Sequence, residues 1–196
     1  ILDLAPSISG IVVCDFVYGV ITPRILSTIQ RISKENNLPL FGDLQCSSQV
    51  GNVAKFKDFE LLCPTEREAR IALSNHDDGV EYLANLLIQK TRVPNLILKL
   101  GAEGFIAYSL GKMGGESQFL RRQYFPALSV NPVDVAGAGD SLLAALSVGM
   151  MSGFSTMESA ALGSCVAAIG VMRTGNLPVQ IEELRKFSDW EHLRDQ

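Results

Sequence analysis

Apolar residues recur along this chain in two rhythms. Ile11 to Phe16 (IVVCDF) is a short, β-branched run closing on Asp15. Similar runs follow at Leu38 to Gly42, which ends at Asp43, and at Glu60 to Cys63, Asn95 to Leu100, Phe105 to Ser109 and Phe119 to Phe125. Runs of this length, bounded by turn residues, predict strands. Between several of them lies the 3.6-residue period of a helix. Thr22-Pro23 offers an N-cap with proline at the first helical position, and Ile25, Ile29 and Ile32 carry the pattern until Asn36-Asn37. A second helix is predicted from Glu66, with Thr65 as cap and Glu68 completing a capping box. Asp77 to Thr91 reads as an amphipathic helix with Val80, Leu83, Leu87 and Ile88 on its apolar side. Gln45 to Asp58 shows no period and reads as a long loop, Gly101 to Gly104 (GAEG) as a tight turn, and Gly111 to Ser117 as a glycine-rich turn.

After Asp134 the pattern changes. Asp140 to Gly153 and Thr156 to Arg173 are helix-length segments rich in Ala, Gly and Ser, residues that let helices pack closely. Repeated strand-then-helix order predicts an α/β fold with a largely parallel sheet covered on both faces. No repeat or linker divides the chain, so residues 1–196 read as one domain.

Composition narrows the classes. With 47% hydrophobic and 19% charged residues the chain can bury a sizeable core. A net charge of −4, with 17 scattered Lys and Arg, gives no basic stripe for nucleic acid. No apolar run approaches the roughly 20 residues that span a bilayer, and a cytoplasmic protein is expected. Cys14, Cys46, Cys63 and Cys165 lack the spacing of a zinc site or disulfide framework and are expected to be buried free thiols. The chain opens on Ile1, so an upstream segment is expected.

The stretch with most chemistry is NPVDVAGAGDSLLAALSVGM, residues 131 to 150. Two glycines separated by alanine, where a helix begins, leave the backbone N–H groups of Gly137, Ala138 and Gly139 free to meet an anion such as phosphate. Asp140, in the first turn, can then accept a proton from a hydroxyl while the amides stabilise a transferred phosphoryl group. The same residues also fit a tight turn and an ordinary helix cap.

Context favours the first reading. Asp134-Val-Ala-Gly-Ala-Gly-Asp140 resembles the DTxGAGD signature of the ribokinase-like, or PfkB, carbohydrate kinases, with departures at 135 and 136. The resemblance continues through AAIGVMRTGN (167 to 176), LILKLGAEG (96 to 104) and LCPTEREAR (62 to 70), and more weakly through VVCDFVYGVITPRIL and FGDLQ near the start, which resemble the heptose-phosphate kinase branch. It implies a ribokinase-like three-layer α/β/α sandwich whose N-terminal part and lid lie outside this chain. It also implies ATP and magnesium as cofactors, a monovalent cation such as potassium, and a sugar or sugar phosphate as partner, with room for a homodimer but no nucleic acid or membrane.

By resemblance the nucleotide would meet Lys99, Gly101, Glu103, Gly104, Ser164 and Gly175, and Asp15 and Asp43 would face the substrate. Glu68 and Thr65 would organise magnesium, and Asp134 and the backbone of Ala136 the monovalent cation. Thr65 stands where the family usually has Asn, and Lys99 where Thr is common. Each residue also has a plain structural reading: a capping box for Thr65 and Glu68, a solvated strand end for Lys99, an Asx turn for Asp134, helix packing for Ser164, and turn chemistry for Asp15 and Asp43. No G-x-G-x-x-G follows the first strand and no G-x-x-x-x-G-K-[ST] occurs, which sets aside dinucleotide-binding and P-loop readings. Two functions remain: a carbohydrate kinase, and a kinase-like module that binds nucleotide or a partner without phosphotransfer.

Overall fold

The computed structural model describes residues 1–46, 50–112, 118–129, 131–175 and 177–194. Six strands form one sheet in chain order: β1 (Ile11–Asp15), β2 (Leu40–Leu44), β3 (Leu61–Leu62), β4 (Asn95–Lys99), β5 (Phe105–Lys112) and β6 (Gln118–Phe125). The first four are parallel and the last two antiparallel. The helices are α1 (Pro23–Asn36), α2 (Glu66–Leu73), α3 (Val80–Thr91), α4 (Ala138–Met151), α5 (Thr156–Val171) and α6 (Ile181–Arg194).

Strand alternation sorts the core into two layers. Leu40, Leu44, Leu62, Leu96 and Leu98 pack with Leu26 and Ile29 of α1 and Leu83 and Leu87 of α3. Their neighbours Phe41, Leu61, Ile97 and Ala107 pack instead with Leu142, Leu143 and Leu146 of α4 and Ala160 of α5. This is the predicted sandwich, and it follows from the period of two in a strand.

Local chemistry sets the helix ends. The Thr22 hydroxyl accepts from Ile25 N–H at 3.2 Å, and Asn37 ends α1 in the left-handed conformation. Thr65 and Glu68 close the expected capping box on α2, and Ser155 and Glu158 build another on α5.

Several boundaries move for physical reasons. β2 begins at Leu40, two residues later than predicted, because Pro39 has no N–H for the ladder and gives only its carbonyl, to Ile11 N–H at 3.0 Å. α3 begins at Val80 because Asn75 and Asp78 hydrogen-bond each other in a turn ahead of it. β5 runs to Lys112, since β6 pairs with it along its whole length. Residues 113–117 of the predicted glycine-rich turn lie outside the described residues.

The long 45–58 loop is less irregular than expected. It holds a short 3-10 turn at Val53–Lys55, and Val53, Phe56 and the following Phe59 are buried against α1 and α3. A 3-10 turn at Leu2–Ser7 and α6 have no counterpart in the sequence reading. The cysteines correct another expectation. None of the four forms a disulfide among the described residues, but only Cys63 is buried and Cys14 is exposed, because β1 is the sheet edge and its outer side, with Val12 47% exposed, is only partly covered.

At the β4–β5 turn, Gly104 has φ +99°, and a Cβ there would stand 2.1 Å from the Phe125 carbonyl oxygen. Gly104→Ala should therefore destabilise the protein by about 3 kcal/mol or more, read from urea unfolding. A loss below about 1 kcal/mol would mean the turn relaxes.

Candidate active site

Parallel strands collect side chains at their carboxyl ends, where open α/β sheets receive ligands. Here β2 ends with Asp43 and Leu44, β4 ends with Lys99, and Pro64-Thr65 follows β3. The amino end of α4 reaches the same edge on the Phe41 and Ile97 side of the sheet.

Asp43 is 1% exposed and accepts a hydrogen bond from Lys99 Nζ at 2.7 Å, while Leu44 N–H donates to its other oxygen at 2.9 Å. Burial disfavours the charge on Lys99, but the Asp43 carboxylate outweighs it and holds the ammonium above its ordinary range. Cys63, buried and next in line after β3, feels both charges; burial pushes its thiol well up. Lys99 is therefore an internal ion pair and not a solvated strand end.

That pair lies against the GAGD turn. Gly137 caps α4 in the left-handed conformation with φ +76°, and no side chain among the described residues caps the helix. A Cβ on Gly139 would stand 3.2 Å from Lys99 Nζ and 3.7 Å from Asp43 Oδ2, so the ammonium fills the space a side chain would take. Ala138 N–H, expected to be free, donates to the Val135 carbonyl at 3.3 Å. Asp140, in the first helical turn, accepts from Gln45 Nε2 at 3.2 Å.

The remaining expected residues are spread over several places. Thr65 bridges to Lys99 across the strand ends, and Glu68 Oε2 accepts from Thr65 N–H at 2.7 Å while Oε1 accepts from Cys46 N–H at 3.0 Å. These residues, with Lys99 and Gly101, line an open cleft of 360 Å³. Asp134 forms a second group: Oδ1 takes Ala136 N–H at 2.9 Å and Oδ2 takes Gly175 N–H at 3.1 Å, which lowers its carboxyl below the usual range. Glu103 and Gly104 shape the β4–β5 turn, where Tyr124 donates to the Glu103 carbonyl at 2.6 Å, and Ser164 is buried within α5.

Asp15 stands apart. Cys14 pairs with Asp43 and Asp15 with Leu44 across β1 and β2, so the two aspartates project to opposite faces. Asp15 is buried, ion-paired to Lys55, and accepts from Val17 N–H at 2.8 Å. Sequence reasoning missed Gln45 and Lys55. Both lie in the aperiodic loop, and only the fold brings them to carboxylates 95 and 40 residues away.

A parallel sheet whose carboxyl edge meets an uncapped helix amino end, with an aspartate in the first turn, defines an α/β protein of the ribokinase-like architecture. The chain belongs to the pfkB carbohydrate kinase family, whose model matches residues 7–181. Its curated relatives include the bifunctional protein HldE of Trichlorobacter lovleyi, 28% identical over 185 residues covering 93% of this chain and 35% of that protein. The HldE of Campylobacter jejuni is 25% identical over 182 residues, covering 91% and 36%. The chain thus spans about a third of the length of these relatives.

Among solved structures, Arabidopsis thaliana ribokinase, complexed with ribose and ATP, superposes with a TM-score of 0.76 at 18% identity over 95% of this chain and 57% of its own. Escherichia coli phosphofructokinase-2, with potassium, gives 0.73 at 13% identity over 96% and 60%. Ribokinase from Thermotoga maritima gives 0.67 at 25% identity over 84% and 53%. The likeness to the first two shows the shared fold.

Cys14 is a built-in reporter of this site. Although the residue is exposed at the sheet edge, its sulfur is partly covered by protein; that cover first, then the charges of Asp140 and Asp43, push its thiol up to about 11. At pH 8 its thiolate fraction is roughly a hundredfold below that of a free thiol, offset roughly tenfold by greater nucleophilicity. Iodoacetamide should therefore label Cys14 about tenfold more slowly than a cysteine peptide, and Asp140→Asn should accelerate it. Labelling at the peptide rate would mean the thiol is neither covered nor close to the two carboxylates.

Proposed function

We propose that this chain carries the phosphoryl-transfer centre of an ATP-dependent kinase acting on a hydroxyl of a sugar or sugar phosphate. The observation that carries the reading is the placement of Asp140 in the first turn of α4, beside the Gly139 backbone and the Lys99–Asp43 pair, in a chain of the carbohydrate kinase family.

The terminal phosphate would lie over the amides of residues 137–139, where the helix end favours negative charge. Ala138 N–H has a weak turn partner, so Gly137 and Gly139 carry most of this contact. Gln45 holds one oxygen of Asp140, leaving the other for the acceptor hydroxyl. As that hydroxyl oxygen bonds to the γ-phosphorus, the bond from phosphorus to the bridging oxygen breaks, Asp140 takes the hydroxyl proton, and ADP leaves.

Magnesium suits the donor set in one form. Magnesium keeps several waters and takes few protein ligands, and each Glu68 oxygen accepts one N–H and retains a lone pair. Glu68, with Thr65 beside it, would hold the ion's waters, and the ion would neutralise phosphate charge. The Asp134 carboxylate and the Ala136 carbonyl would face a monovalent cation. Gly101 and the turn through Gly104 would border the nucleotide. The start of the chain, which resembles the heptose-phosphate kinase branch, supports a sugar phosphate as the acceptor.

A second reading, nucleotide or partner binding without transfer, draws on Thr65 and on the backbone N–H group held by each Glu68 oxygen. Asp140→Asn separates the two readings. In the full-length protein it should lower kcat about a thousandfold with ATP affinity changed by no more than a few fold, measured by a coupled ADP assay and calorimetry. Retained turnover would remove Asp140 as the base.

A further inference from the structure

A cation at the amino end of a helix sits at the unfavourable pole of the helix dipole. Lys99 occupies that position against Gly139, is only 13% exposed, and is neutralised by Asp43, whose Oδ2 would itself stand 3.7 Å from a Cβ on Gly139. Burying such a pair gains little stability in itself, because desolvation offsets the attraction. At the last position of β4 the lysine side chain crosses past β3 to pair with Asp43 of β2. The arrangement becomes favourable once an anion lands on the other side of the ammonium. An ammonium has three donors. Asp43 takes one, leaving two for phosphoryl oxygens at the turn.

We propose that Lys99 is the residue by which this site recognises the terminal phosphate of a nucleoside triphosphate, with Asp43 as its positioning residue and Gly139 as the gap that lets the ammonium reach the turn. The inference rests on the kinase reading above and assigns the charge that the helix amides lack. The α- and β-phosphates would gain nothing from Lys99, so its contribution falls on the triphosphate alone. A lysine that only tied β2 to β4 would affect stability and leave that selectivity unchanged.

The test is calorimetric titration of the full-length protein with magnesium-ATP and magnesium-ADP, for wild type and Lys99→Met. Because Lys99→Met strands a buried carboxylate, Asp43→Asn/Lys99→Met is measured in parallel as a variant with no lone buried charge, and thermal melting reports whether each is folded. Loss of a charged hydrogen bond should lower the preference for ATP over ADP by about tenfold to a hundredfold, with ADP affinity within twofold of wild type, in whichever variant folds. An ATP-to-ADP preference unchanged within twofold in a folded variant overturns the role of Lys99 and leaves the kinase reading standing. Wild type that binds neither nucleotide overturns both.

Discussion

The ion pair between Lys99 and Asp43 fixes the geometry on which the site depends. Both residues end strands, and the two strands are not neighbours: β3 lies between them. The 2.7 Å bond therefore forms only if β2, β3 and β4 hold their parallel register, which continues past β3 as Cys63 N–H donates to the Gly42 carbonyl and Lys99 N–H to the Pro64 carbonyl, each at 2.9 Å. Removing either partner would leave a buried charge at a cost of about 3–5 kcal/mol. A slip of one residue in β2 would turn Asp43 to the α1 face, where Asp15 already meets Lys55. The carboxyl edge of the sheet is thus an all-or-none construction.

From that edge the rest of the site follows. Glycine at 139 lets α4 begin directly above the ammonium without displacing it, and beginning there places Asp140 within reach of Gln45. Gln45 is itself tied to the last residue of β1, since its N–H donates to the Asp15 carbonyl at 2.9 Å, and Cys46 after it ties the loop to Glu68. Positive charge from Lys99 and the helix end faces negative charge on Asp43 and Asp140 over a few ångströms. Such a field accepts a phosphate at one point and a proton beside it. The tie from Asp134 to Gly175 closes the back of the same turn by joining the segment before α4 to the one after α5.

Much of this was legible in the sequence, for identifiable reasons. The sandwich could be read because Leu40, Leu44, Leu62 and Leu96 alternate with Phe41, Leu61 and Ile97, and both halves are apolar. The start of α4 and the cap on α2 could be read because GAGD and Thr65-x-x-Glu68 act within four residues. What escaped was non-local. Whether Asp15 and Asp43 share a face depends on strand register, and each aspartate looked alike as a strand end. Lys99 resembled a solvated lysine because its partner is 56 residues away. The burial of Phe56 and Phe59 was hidden by the lack of period in their loop, and the exposure of Cys14 by the position of β1 at the sheet edge.

The central claim is that this edge transfers a phosphoryl group to a sugar-derived hydroxyl. The most direct measurement is ADP release by the full-length protein, with magnesium-ATP present, across a panel of free sugars and sugar phosphates. The account predicts that at least one of these acceptors, a sugar phosphate foremost, stimulates ADP release well above the acceptor-free rate and is recovered with one added phosphate. Nucleotide binding with no stimulation by any acceptor would contradict it and leave a kinase-like binding module in its place.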